Sequence, residues 1–209
     1  MSEASEADVA PMSEVSEVGD ASAGKRREFA QNFVRSTSAM MLGPLCWIGN
    51  KLELFRHLAD HPEGVNYEEF AEVTNCNSRY LQEWLHAMTC AKWVDYDATT
   101  KKFTLPIEHQ EFLVRREGNV LFAADCFNAF RIFNEAAPKY LDCFQNGGGL
   151  SLKEIHPEIG EAVEGFTGTS QKYRAVDVVK QFLPDIHERL ESGIVAADVG
   201  CGVGWNVEL

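Results

Sequence analysis

The chain has 209 residues, 45% of them hydrophobic, and a formal net charge of −13. It is long enough for one or two domains with a sizeable core, and its acidic balance argues against non-specific binding of nucleic acid or anionic membranes. No run of about 18 apolar residues marks a membrane span, and the acidic N-terminus lacks the basic and apolar regions of a signal peptide.

Six cysteines (46, 76, 90, 126, 143 and 201) show no CxxC spacing and no histidine at metal-like intervals. They predict reduced thiols in a cytoplasmic protein and no metal site.

Residues 1–24 hold six acidic residues and no basic one, leaving −7 on the remaining 185. This Ser-, Ala- and Glu-rich stretch has no aromatic residue and predicts a disordered acidic tail. A helical and winged-helix domain is expected over 25–118. Phe29, Phe33, Val34, Met40 and Met41 mark an apolar stripe, and Leu45, Ile48, Leu52, Phe55 and Leu58 continue it at helical intervals. Gly43-Pro44 predicts a break between the two, and Asp60–Gly64 a turn.

A compact unit follows. Asn66 caps a helix and Glu69, three residues on, completes a capping box. Tyr67, Phe70, Ala71 and Thr74 form that helix's inner face. The turn Asn75-Cys76-Asn77 leads to a second helix with Leu81, Trp84, Leu85 and Met88 facing inward. Trp93–Tyr96 and Lys102–Leu105 then alternate as two short strands. Helix, turn, helix, hairpin is the winged-helix plan. A DNA reader should carry a basic footprint. Here the second helix shows Arg79, Gln82, Glu83 and His86, and the wing sets Lys101 and Lys102 against Asp95 and Asp97. DNA recognition is therefore a minor reading, and Trp84 is read as core.

Residues 119–168 predict a helical connector. Val120, Leu121, Phe122, Phe127, Phe130, Ile132, Phe133, Tyr140 and Phe144 make it apolar on more than one face, which suits burial or an interface. Gly147–Gly149 is a joint. Ser170–Glu191 predicts a long amphipathic helix kinked at Pro184, with Val176, Val179, Leu183, Ile186 and Leu190 on one face. Then Ile194–Val199 reads as an apolar strand running into Gly200-Cys201-Gly202-Val203-Gly204. A turn at the end of a parallel strand needs glycine where φ is positive, and a missing Cβ admits a ligand to the backbone. The dinucleotide fingerprint G-x-G-x-x-G fails, because its third position falls on Trp205.

The run Asp198-Val199-Gly200-Cys201-Gly202-Val203-Gly204 resembles the first motif of class I S-adenosylmethionine-dependent methyltransferases. Gly49–Asp60, Arg79-Tyr80-Leu81-Gln82-Glu83-Trp84-Leu85 and Trp93–Tyr96 resemble the N-terminal domain of the winged-helix members of that family. The resemblance covers about residues 28–204. It implies that Gly200, Cys201, Gly202 and Gly204 lie against the cofactor's amino-acid end, that Asp198 helps organise that end, and that Tyr173 approaches the cofactor. It implies a homodimer through the N-terminal helices that roofs a small-molecule acceptor, with no role for nucleic acid or membrane.

The expected fold is mostly α. A winged-helix domain is followed by the first helix and strand of an incomplete Rossmann-like methyltransferase domain over 169–209. Trp205–Leu209 supplies at most one helical turn, whereas a doubly wound sheet needs several βαβ units. The expectation is therefore the N-terminal portion of a methyltransferase, inactive as this chain, with strand 194–199 poorly ordered or irregularly docked. The alternative is a non-catalytic winged-helix module that pairs with itself or a full-length relative. No catalytic base is named: the six histidines are scattered, and His109 and His156 read as surface residues.

Overall fold

The computed structural model describes the backbone of residues 12–202 and 204, and side chains from Ser22 onward except Ser170. Residues 1–11, Val203 and Trp205–Leu209 lie outside it, so the first part of the acidic tail and the short run after Gly204 are not described. The chain divides into two units, Met1–Met41 and Leu42–Leu209.

Helix α1 runs Met12–Lys51. Residues 12–24 are thus helical where the composition predicts a disordered tail: alanine and glutamate are good helix formers, and extending an existing helix costs far less than starting one. Gly43-Pro44 does not break α1 either. Proline removes one backbone hydrogen bond, but the turn beyond it is pinned, with Cys46 buried and the Leu45 carbonyl accepting from Trp84 Nε1 at 2.9 Å. The break falls at Glu53, whose φ of 53° is left-handed.

Helix α2 spans Leu54–Ala59 and buries Leu54, Phe55 and Leu58. Helix α3, Tyr67–Thr74, has the predicted capping box: Asn66 Oδ1 accepts from Glu69 N at 2.9 Å, and Asn66 N donates to Glu69 Oε2 at 3.1 Å. Asn75, in the left-handed region, ends it. Helix α4, Ser78–Cys90, is capped by the Asn77 side chain and buries the four predicted residues Leu81, Trp84, Leu85 and Met88.

Strands β1, Asp95–Asp97, and β2, Lys102–Thr104, pair antiparallel with Tyr96 opposite Phe103. Val65 bridges Phe103 from the other side. Trp93 and Val94 were expected in the first strand but precede it. Their amides bond instead to the Met88 carbonyl, which ends α4. The core joins α2, α3, α4 and the wing through Phe55, Phe70, Leu85, Met88 and Phe103. Trp84 belongs to it, 5.1 Å from the Phe55 ring centroid.

Helix α5, Ile107–Leu113, leads to α6, Cys126–Asn146. Val120 and Leu121, expected in that helix, lie in the turn before it, where Asn119 Oδ1 accepts from the Leu121 amide. Helix α7, Leu152–Ile155, precedes α8, Ile159–Phe182. Helices α6 and α8 approach closely through Ala129, Ile132 and Ala162. At Gly165 a Cβ would meet the Asp125 carbonyl oxygen at 2.5 Å.

Helix α8 starts earlier than Ser170 and crosses the 168/169 position taken as a boundary. Nothing between Ile159 and Phe182 interrupts it, since its glycines cost a helix only about 1 kcal/mol each. Pro184 does not kink this helix. It opens a new one, α9, Pro184–Glu191, after Leu183 leaves helical geometry. Residues 194–199 form no strand. Val195 and Val199 are fully or almost fully exposed, and among the described residues no neighbouring strand supplies the hydrogen bonds a strand requires.

Candidate functional site

All three glycines of the turn adopt positive φ: 83° at Gly200, 59° at Gly202 and 94° at Gly204. The Gly204 amide bonds to the Cys201 carbonyl at 2.9 Å. A Cβ at Gly200 or Gly202 would meet nothing within 4 Å. Backbone conformation, not crowding, is therefore what demands glycine, and the empty space leaves the backbone approachable. Asp198 is exposed and Cys201 half-exposed.

Tyr173 lies elsewhere, half-buried on α8. It lines a cavity of about 350 Å³ with Arg115, Arg116, Asn119, Phe122 and Asp125, and Lys172 Nζ sits 5.3 Å from its ring centroid. Asp198, Gly200, Cys201, Gly202 and Gly204 line neither this cavity nor the larger one. The structure thus brings the glycines together but does not join them to Tyr173 in a cavity.

The larger cavity, about 1030 Å³, lies between the end of α1 and helices α6 and α8. Its aromatic walls are Trp47, Phe55 and Phe122. Each lining arginine is already matched. Arg115 pairs with Asp125 and lies 4.7 Å from the Phe122 centroid. Arg131 pairs with Glu135 and Glu158 and covers Trp47. Arg56 reaches Glu53 and Asp60. Asn50 donates to Asp125 at 3.3 Å. An anionic ligand that engaged one of these arginines would have to displace its carboxylate. The walls suit a polar molecule with an aromatic or apolar part, and the volume lies at the upper end of what is usual for small-molecule sites.

Sequence reasoning missed Trp47, Asp125, Arg131 and Glu158. The Arg131–Glu135 spacing was a visible helical ion pair, but Arg131–Glu158 spans 27 residues and carries no local signal. The two histidines read as surface residues are half-buried and bonded. His109 Nδ1 lies 2.9 Å from the Trp93 carbonyl oxygen, and His156 Nδ1 accepts from the Glu158 amide at 3.0 Å. Neither is poised beside a nucleophile. Burial pushes the Cys46 thiol up to about 12, with nearby Cys126 adding to the shift. Burial raises Cys126 as well. Among the described residues no group of histidine, cysteine and carboxylate side chains could hold a metal ion, and no helix is long and apolar enough to cross a membrane. All six cysteines are free.

Residues 37–115 match the sequence family described as the Rv2258c-like winged HTH domain. They form a winged helix. A solved structure of "PigF with SAH" has a similar fold over 85% of this chain, with a TM-score of 0.57 and 16% identity. The match covers 53% of that chain, so the present sequence spans about half the length of the solved structure it matches. No curated protein matches.

Proposed function

We propose that this chain is the N-terminal portion of a S-adenosylmethionine-dependent methyltransferase: a winged-helix half, the α6–α8 helices, and the opening turn of the cofactor domain. The observation that carries the reading is the run of three positive-φ glycines behind Asp198, downstream of a winged helix in a fold similar to a protein solved with SAH. S-adenosylhomocysteine is what remains of S-adenosylmethionine once its methyl group has been transferred. In this reading Gly200, Cys201, Gly202 and Gly204 present bare backbone to the cofactor's amino-acid end, and Asp198 sits beside it. The large cavity takes the small-molecule acceptor, and Trp47, Phe122 and Arg131 shape it. Methyl transfer from a sulfonium depends chiefly on in-line positioning, so the lack of a poised base does not count against the reading. The N-terminal helices pair two copies.

The test is a titration of the ¹⁵N-labelled chain with S-adenosylhomocysteine. Weak amide shifts confined to residues 198–204 are the expected result. No shift at these amides at millimolar ligand would sink the cofactor reading.

A second reading, a non-catalytic interaction module, is favoured by the exposed apolar residues Phe130, Phe133, Leu141 and Phe144 on α6. DNA binding gains little support, because Arg79, the base on the exposed face of α4, is held by Glu83.

A further inference from the structure

Four residues line both cavities: Arg115, Phe122, Asp125 and Glu164. A side chain that borders two cavities is part of the partition between them. Three of the four meet in one contact. Arg115 pairs with Asp125, and its guanidinium lies 4.7 Å from the Phe122 ring centroid. The members of this contact are not equally held. Asn50 donates to the Asp125 carboxylate at 3.3 Å, and a Cβ at Gly165 would meet the Asp125 carbonyl oxygen at 2.5 Å. Phe122 is 6% exposed. The Arg115 side chain is 67% exposed and stands just beyond the end of α5. Arg115 is therefore the movable member, an arm laid across a fixed ring and a fixed carboxylate.

The spaces on its two sides differ. The large cavity offers the aromatic walls Trp47 and Phe55. The small one holds Thr169 and Tyr173, one turn apart on α8. Both residues are half-buried, and among the described residues neither hydroxyl has a hydrogen-bond partner. Each is left to bond with water or with a ligand. We propose that the two cavities are chambers of one binding site and that Arg115 gates the passage between them. With the guanidinium swung off Phe122, an elongated, uncharged molecule lies with its aromatic end against Trp47 and Phe55 and its polar end on Thr169 and Tyr173. The molecule is uncharged because the arginines along its path are already matched by carboxylates. This rests on the reading above that the large cavity takes the acceptor. It adds where the acceptor's polar end goes and which residue limits its length. The arm opens readily, since an exposed ion pair contributes little.

Spectra of the ¹⁵N-labelled chain with phenol and with para-phenylphenol test this. Phenol fits one chamber and should shift the Trp47 and Asn50 amides. Para-phenylphenol should shift those and the Thr169 and Tyr173 amides as well. Arg115→Ala should bind para-phenylphenol about fivefold more tightly, because it removes the pair that a long ligand must open, and should bind phenol within about twofold of the wild type. The double variant Thr169→Val/Tyr173→Phe should weaken para-phenylphenol about fivefold and leave phenol unchanged. Circular dichroism checks that each variant folds, and Arg115→Gln replaces the alanine variant if that one does not. Silence of both probes at Trp47 and Asn50 at millimolar concentration overturns the proposal and the acceptor reading together. Shifts at Trp47 and Asn50 with Thr169 and Tyr173 unmoved by para-phenylphenol, in the wild type and in Arg115→Ala, overturn the two-chamber site alone. Equal affinity of Arg115→Ala and the wild type for para-phenylphenol overturns the gate. The cofactor reading is decided separately by the titration at residues 198–204.

Discussion

The guanidinium of Arg131 lies 5.2 Å from the ring centroid of Trp47, so a cation on α6 covers an aromatic residue on α1. The same side chain reaches Glu158 beside α8 at 2.8 Å and Glu135 within its own helix at 2.9 Å. One residue thus ties three segments of the cavity wall. Arg131→Ala should lower stability in urea by about 1–3 kcal/mol, because it strips a partly buried ion pair and a cation–π contact together. Arg131→Lys should restore less than half of that loss, since an ammonium lacks the planar fork. Equal stability of the alanine variant and the wild type would show that the contacts contribute nothing.

Two glycines of α1 should respond to alanine in opposite directions. At Gly49 a Cβ would meet Trp84 Cζ2 at 2.6 Å and Phe55 Cε2 at 2.9 Å, inside the winged-helix core. Gly49→Ala should destabilise by about 1–3 kcal/mol. At Gly24 a Cβ meets nothing within 4 Å, so Gly24→Ala should stabilise by up to about 1 kcal/mol through helix propensity. Thermal unfolding of the two variants side by side reads both signs.

The Cys46 thiol, raised to about 12 by burial, links stability to alkaline pH. Its folded pKa lies above the unfolded value of 9.0, so its contribution is complete below pH 9 and is lost as pH rises from 9 towards 12. The urea midpoint should therefore fall more steeply above pH 9 in the wild type than in Cys46→Ala. Thiol labelling at pH 8 provides a second check. Exposed Cys90 should react first, and Cys46 only on unfolding.

Asn66 offers a test confined to one helix end. Its side chain satisfies the Glu69 amide, and Glu69 answers on the Asn66 amide. Asn66→Ala should cost about 1 kcal/mol, whereas Asn66→Ser and Asn66→Asp keep a capping oxygen and should cost much less. Denaturant unfolding of the three variants gives the ranking.

The winged helix was legible because its signals are local. A capping box spans three residues, an amphipathic helix repeats every three or four, and a hairpin joins neighbours. Asn66, Glu69, Leu81, Trp84, Leu85 and Met88 all stand where their spacing places them. The need for glycine at 200, 202 and 204 was legible for the same reason, since a positive φ is a property of one residue. The failures came where a local rule met a distant contact. Pro44 ends a helix in isolation, but the Trp84 side chain, 39 residues on, holds the next turn in place. Ile194–Val199 has the composition of a strand, yet a strand exists only through a neighbour's hydrogen bonds, and none is present for it among the described residues. The large cavity depends on Arg131 meeting Trp47 and Glu158, and Asp125 meeting Asn50 and Arg115. Those partners come from helices and from the turns beside them, and only the packing of α1, α6 and α8 brings them within reach.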